Sequence, residues 1–284
     1  MFAVAGVSGR TGAATAEALI KLGQKVRALV RTEAQGEPWA RRHAEVAVVD
    51  FNDEASLSKA LAGLTGAYLL LPPTQADDAL GAQQKMLDHL VHAVKSAKLE
   101  RLVFLSSIGA QHPAGTGPVV ALHRAEKALT GLAPHVTFLR AAYFLENWGP
   151  QLLPALESGT LPFYGHVHLK FPQVCARDVG ALAAKLLEEK VKGTRFVELA
   201  GHENWSVEDV AEVVSSLLGT PIKAKEHPVE AAKEGLEQAG LPAARAALMA
   251  ELYQAMARGH LAFAHPHQVQ RGATPLYDAL KPLV

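Results

Sequence analysis

Cysteine is nearly absent: the 284 residues include one, Cys175. A lone thiol closes no intramolecular disulfide, so a disulfide-stapled fold is excluded and a reducing compartment is expected. Within Phe171-Pro172-Gln173-Val174-Cys175 it reads as a packing residue of a strand rather than as a nucleophile. An excess of one charge sign is absent too, with 28 basic against 28 acidic residues. Phosphate-backbone binding needs a basic surplus, so no nucleic-acid partner is expected. No apolar run approaches the length of a membrane span, and no basic region precedes the N-terminal apolar residues. Neither a membrane partner nor a signal peptide is therefore expected, and the expected location is cytoplasmic. No Lys-Ser or Lys-Thr pair follows Gly12, which excludes a Walker A loop. Cysteine clusters and His-Glu-x-x-His patterns are also missing. His166 with His168, and His265 with His267, alternate as residues sharing one strand face would. Such pairs alone fall short of a ligand set, and no metal is expected.

What is present begins at the first residues. Met1 to Ala5 is apolar and short enough for a buried strand, and Ala13 to Leu22 reads as a helix that stops at Gly23. Between them stands Gly6-Val7-Ser8-Gly9-Arg10-Thr11-Gly12. Strand, glycine turn and helix in that order form the setting of a dinucleotide-binding loop. The first glycine permits the tight turn, the second the approach of a pyrophosphate, and the third close packing of helix on strand. Free N–H groups and the dipole at the helix start favour phosphate charge. Gly6, Ser8, Gly9, Arg10, Thr11 and Gly12 are therefore candidate cofactor-binding residues.

Further strands are read at Lys25–Val30, Glu45–Asp50, Gly66–Leu71, Arg101–Leu105 and Val136–Arg140, with helical segments between them. Six strands separated by helices predict an α/β fold, a Rossmann-type doubly wound parallel sheet with helices on both faces. The expected organisation is an NAD(P)-binding domain over 1–150. A smaller substrate-side lobe follows over 151–284, with some of its segments returning to the core.

In such a fold the end of the second strand faces the adenine ribose, where an acid binds hydroxyls and an Arg accommodates a 2′-phosphate. Arg31 stands there with no Asp or Glu before it, and Arg10 could add a second positive charge. NADP(H) is expected over NAD(H), which the fold also admits; the alternative for Arg31 is a solvated surface cation. Asp50 and Phe51 end the third strand, where an adenine would rest. Leu71, Pro72 and Pro73 end the fourth, beside the cofactor ribose. Ser106 and Ser107 end the fifth, at the ligand crevice of an open sheet. The alternative for Ser107 is a hydroxyl tied to its own loop. Beyond Ala141 the aromatics Tyr143, Phe144, Trp148, Phe163 and Tyr164 gather around Gly and Pro, as in a substrate pocket. They read equally well as a core of the second lobe. Ile108, Tyr143, Phe144, Trp148 and Tyr164 are the substrate-side candidates, and Tyr143 is a cofactor candidate as well.

The chain resembles the NmrA-like branch of the atypical short-chain dehydrogenases/reductases over nearly its whole length. The resemblance rests on the glycine loop, Leu71-Pro72-Pro73, Ser106-Ser107-Ile108-Gly109-Ala110 and Leu139-Arg140-Ala141-Ala142-Tyr143-Phe144-Leu145-Glu146-Asn147. It continues in Arg177-Asp178-Val179-Gly180 and Arg271-Gly272-Ala273-Thr274-Pro275-Leu276. It implies bound NAD(P)H, a small-molecule acceptor, and either a reductase of quinones or dyes or an NADP-binding redox sensor without turnover. A monomer or homodimer is expected. The superfamily's Tyr-x-x-x-Lys pair is missing from its usual helix, which holds no tyrosine between Val119 and Thr130. Only Tyr277 has a lysine four residues on, Lys281, at the far end of the fold order. Members of this branch often carry Lys or His a turn before a Glu in that helix, and here His123 precedes Glu126. His123 is the catalytic candidate, holding the nicotinamide ribose or relaying a proton, since imidazole changes charge near neutral pH. Its alternative is a helix-surface histidine. Delocalised acceptors such as quinones need little proton help at the hydride step, so loss of the Tyr-Lys pair fits them better than simple carbonyls or sugar-nucleotide epimerisation.

Overall fold

The computed structural model describes residues 1–284. The chain divides into two compact units, Met1–Ser106 with Ala121–Arg140 and Ala176–Val197, and Ser107–Val120 with Ala141–Cys175 and Glu198–Val284. The division follows no single boundary near residue 150. Segments 107–120 and 141–150 pack within the second unit, and 176–197 returns to the first.

In chain order the first elements are β1 (Phe2–Val4), α1 (Arg10–Lys21), β2 (Val26–Val30), α2 (Glu33–Ala40), β3 (Glu45–Val48) and α3 (Glu54–Leu61). They are followed by β4 (Gly66–Leu69), α4 (Ala79–Ala97), β5 (Arg101–Ser107), α5 (Val120–Leu129), β6 (His135–Ala141) and β7 (Tyr143–Phe144). Next come α6 (Gly149–Ser158), β8 (Thr160–Tyr164), β9 (Phe171–Val174), α7 (Ala176–Glu188), β10 (Gly193–Ala200) and β11 (Asn204–Trp205). The last are α8 (Val207–Leu218), β12 (Lys223–His227), α9 (Ala232–Gln238), α10 (Ala243–Ala257), β13 (Gln270–Arg271) and α11 (Leu276–Leu280).

The main sheet has eight strands in the order β13-β10-β6-β5-β4-β1-β2-β3. Along β1 the registers are parallel on both sides, Val4 pairing with Ala28 of β2 and with Tyr68 of β4. Strand order reverses between β1 and β4, the point at which open α/β sheets carry their ligand crevice. β1 and β4 are buried along their whole length, as apolar runs in a doubly covered parallel sheet must be. β3 and β4 stop at Val48 and Leu69, two residues before the sequence pattern ends. α4 begins at Ala79, because Asp78 caps it by accepting the Gly81 N–H at 2.9 Å. α7 packs on α1 through Gly180, where a β-carbon would stand 2.4 Å from Ala14 Cβ.

The second unit has its own core, with Trp148, Leu161, Val207 and Leu280 among its fully enclosed side chains. Small sheets β11-β9-β7 and β12-β8 lie in it. Gly165, at φ +134°, ends β8, so His166 and His168 sit in a turn rather than on a strand face. His265 and His267 flank and enter a short 3-10 turn, Pro266–Gln268, and do not share a strand either. Ser206 and Asp209 form the capping box of α8. No helix is long and apolar enough to cross a membrane.

Candidate functional site

The glycine loop closes as a turn in which Gly9 N–H donates to Gly6 carbonyl oxygen at 2.8 Å. Gly6 is held at φ +69°, and a β-carbon there would press on Leu70 Cδ2 at 2.9 Å. Gly12 serves packing instead, since a β-carbon on it would stand 2.3 Å from the carbonyl oxygens of Ala5 and Gly6. It sets how closely α1 approaches β1. No side chain caps α1, and no acidic residue occupies its first turn. The amides and dipole of that end are thus disposed toward an anion.

In front of this helix end opens a cleft of about 730 Å³, inside the size range of ligand sites. Gly6, Ser8, Gly9, Arg10 and Thr11 form its floor, and Arg31, Asp50, Phe51, Pro72 and Pro73 its walls. Arg31 is exposed, and its backbone N–H donates to Gln35 Oε1 at 3.0 Å, which fixes the turn out of β2. The Asp50 carboxylate is used locally, accepting the Asn52 backbone N–H at 2.8 Å and its side-chain amide at 3.0 Å. The Phe51 carbonyl faces His89 Nδ1 at 3.2 Å. Leu71 is in the core, 8% exposed, and Leu70 lines the cleft in its place. Nor does Gly12 line the cleft, in keeping with its packing role.

Ser106 is 2% exposed, and its hydroxyl donates to Glu126 Oε1 at 2.6 Å. Glu126 also receives Arg140 Nε at 2.9 Å and Nη2 at 2.7 Å, and Arg140 lies over the Phe196 ring at 4.3 Å. Ser106 therefore belongs to a buried ion-pair network and offers no hydroxyl to a cofactor. Ser107 donates to the Ile108 carbonyl at 3.0 Å, which ties it to its own loop. His123 lies half-buried on α5, one turn before the enclosed Glu126.

In the second unit Ile108, Tyr143, Phe163, Tyr164, Phe171 and Tyr253 surround a narrow cavity of about 40 Å³. Met256 and Leu261 complete its aliphatic side. No Asp or Glu lines it. Burial, helped by the neighbouring Tyr253 and opposed by the Asn147 side chain, pushes the Tyr143 phenol far up. Burial and then Tyr164 push the Tyr253 phenol up as well. Both phenols stay neutral at physiological pH. Two sequence candidates fall outside this wall. Trp148 is completely buried, with its indole N–H donating to Gln173 Oε1 at 2.8 Å, and Phe144 belongs to β7. Phe171, Tyr253, Met256 and Leu261 escaped sequence reading, because they come from three segments with no shared spacing. His166 and His168 pair with Glu226 at 3.2 Å and Glu208 at 2.7 Å. Cys175 is buried, its thiol donating to Glu146 Oε1 at 3.4 Å.

The model of the NmrA-like family matches residues 1–267. Quinone oxidoreductase 2 of Escherichia coli is 25% identical over 267 residues, covering 92% of this chain and 90% of that protein. The NAD(P)H azoreductase of Xenophilus azovorans is 25% identical over 256 residues, covering 89% and 86%. Among solved structures, the Escherichia coli NADPH-dependent quinone oxidoreductase complexed with NADPH superimposes with a TM-score of 0.83 at 23% identity. That match covers 100% of this chain and 99% of the other, and it bears on the fold.

Proposed function

The chain belongs to the NmrA-like family, and we propose that it is an NAD(P)H-dependent oxidoreductase that prefers NADPH and reduces a planar quinone- or dye-like acceptor. The observation that carries this reading is the cleft before α1. It joins an uncapped helix end, two glycines without β-carbons and two arginines, Arg10 and Arg31, in one cleft. That donor set suits a pyrophosphate and a 2′-phosphate, the latter through a planar guanidinium. The relatives named above act on a quinone in one case and are called an azoreductase in the other, which supports the coarse reaction class at 25% identity.

In this reading the first-turn amides of α1 and Arg10 hold the pyrophosphate, Arg31 holds the 2′-phosphate, and Asp50 and Phe51 border the adenine. A bound nicotinamide supplies the hydride. His123 holds the nicotinamide ribose or relays a proton. The aromatic cavity of the second unit takes the acceptor, with Ile108, Tyr143 and Tyr164 in its wall. At about 40 Å³ it has room for only a few waters, so a ring enters by displacing Met256 and Leu261. Met in particular repacks readily.

The second reading, a cofactor-binding sensor without turnover, draws on the same cleft and is favoured by the absence of tyrosine from α5. Steady-state NADPH oxidation against a panel of quinones and azo dyes separates the two. Turnover with quinones is expected. Saturable NADPH binding with no oxidation across the panel would replace the reductase by the sensor.

A further inference from the structure

Three phenols converge on the aromatic cavity, and their hydroxyls differ in what already engages them. Tyr143 is bonded to the Asn147 side chain. The Tyr164 hydroxyl lies against α9, so close to Gly235 that a β-carbon there would sit 1.8 Å from it. Tyr253 packs its ring edge-on against Phe163 at 5.5 Å and against Tyr164 at 5.6 Å. Only its neighbours' rings hold it; no hydrogen bond to its hydroxyl influences its ionisation. The remaining polar side chain of the wall, His166, is directed to Glu226.

A phenol at the wall of an apolar cavity keeps its O–H available as a donor to a ligand's oxygen. The wall has no carboxylate, so a cation could be held there only by the ring faces. We infer that Tyr253 is the acceptor-orienting residue, its O–H donating to a carbonyl oxygen of a neutral quinoid ring, and that it favours quinones over planar ligands without a carbonyl. This rests on the reading of the cavity as the acceptor site. The phenol stays protonated because burial raises it, so the donor is available throughout the physiological range. A cationic dye would meet ring faces alone and gain nothing from this hydroxyl.

The test compares wild type with Tyr253→Phe, which keeps the ring and removes only the oxygen. Because that oxygen makes no bond within the chain, the variant is expected to fold with an unchanged thermal midpoint. Binding of menadione and of naphthalene is measured by equilibrium dialysis with NADP+ present, apart from any turnover. Wild type should hold menadione about tenfold more tightly than the carbonyl-free ring, and Tyr253→Phe should shrink that gap to about twofold, as loss of one hydrogen bond requires. In NADPH oxidation, kcat/KM for menadione should fall about fivefold, through KM, while that for crystal violet changes by less than about twofold. A full menadione–naphthalene gap in Tyr253→Phe, or no gap in wild type, overturns the inference. A Tyr253-dependent gap without NADPH oxidation upholds it and instead removes the reductase reading.

Discussion

Glu126 holds Arg140 at two points, Oε1 to Nε at 2.9 Å and Oε2 to Nη2 at 2.7 Å, with both side chains 6% exposed. Removing one partner of such a pair strands a buried charge. Glu126→Gln is expected to cost about 3–5 kcal/mol, read as a lower urea midpoint at unchanged slope. Ser106→Ala removes the third member, should cost about 1 kcal/mol, and should leave NADPH affinity untouched. A weakened NADPH affinity in Ser106→Ala would return that hydroxyl to the cofactor site.

Gly12 carries the closest helix–strand approach of the glycine loop. Gly12→Ala brings a methyl within 2.3 Å of two backbone oxygens that have no side-chain freedom to yield. The expected cost is about 1–3 kcal/mol or more, together with weaker NADPH binding as α1 is pushed off β1. Wild-type affinity and midpoint in this variant would contradict the packing role.

Trp148 separates core from pocket in the second unit. Trp148→Phe keeps most of the apolar volume but leaves Gln173 Oε1 without its donor, at a cost of about 1–3 kcal/mol. KM for the acceptor should not move. A raised KM at unchanged stability would place Trp148 at the acceptor after all.

Asp209 gives the fold an acid dependence. Partial burial pushes its carboxyl up, but the Ser206 backbone N–H at 2.8 Å, the Ser206 hydroxyl and the Lys170 ammonium at 3.5 Å outweigh it. The net effect holds the carboxyl below the usual range. A depressed folded value means that the stabilisation is complete above the unfolded pKa and fades as pH falls through the folded one. Thermal midpoints of wild type and Asp209→Asn should therefore differ above about pH 4 and converge on further acidification. Parallel curves down to acid would show that the capping box does not depend on charge.

The strands β1 to β6 were legible because each carries a short apolar stretch bounded by turn residues, most completely in β1 and β4, which are buried along their whole length. Glycine at positions 6 and 12 was legible for the same local reason: the left-handed backbone of Gly6 and the close approach at Gly12 favour no other residue. Side-chain direction at strand ends was less so. Leu70 lines the cleft and Leu71 the core, and Ser106 turns inward to Glu126. These depend on parity beyond the last paired residue and on partners 20 or more positions away. The second unit resisted sequence reading. β8 and β9 carry Pro162 and Pro172, α6 carries Pro154 inside it, and β7 and β11 are two residues long. Tyr253 joins Tyr143 and Phe171 only through packing, and no sequence spacing encodes that meeting.

The proposed cofactor preference rests on Arg31 in the cleft wall, and a fluorescence titration of the protein with NADPH and with NADH is the decisive measurement. A charge-assisted contact to the 2′-phosphate predicts saturable binding with NADPH about tenfold or more tighter than NADH, and Arg31→Ala narrowing that gap. Equal affinities in wild type, or no saturable binding of either nucleotide, would contradict it.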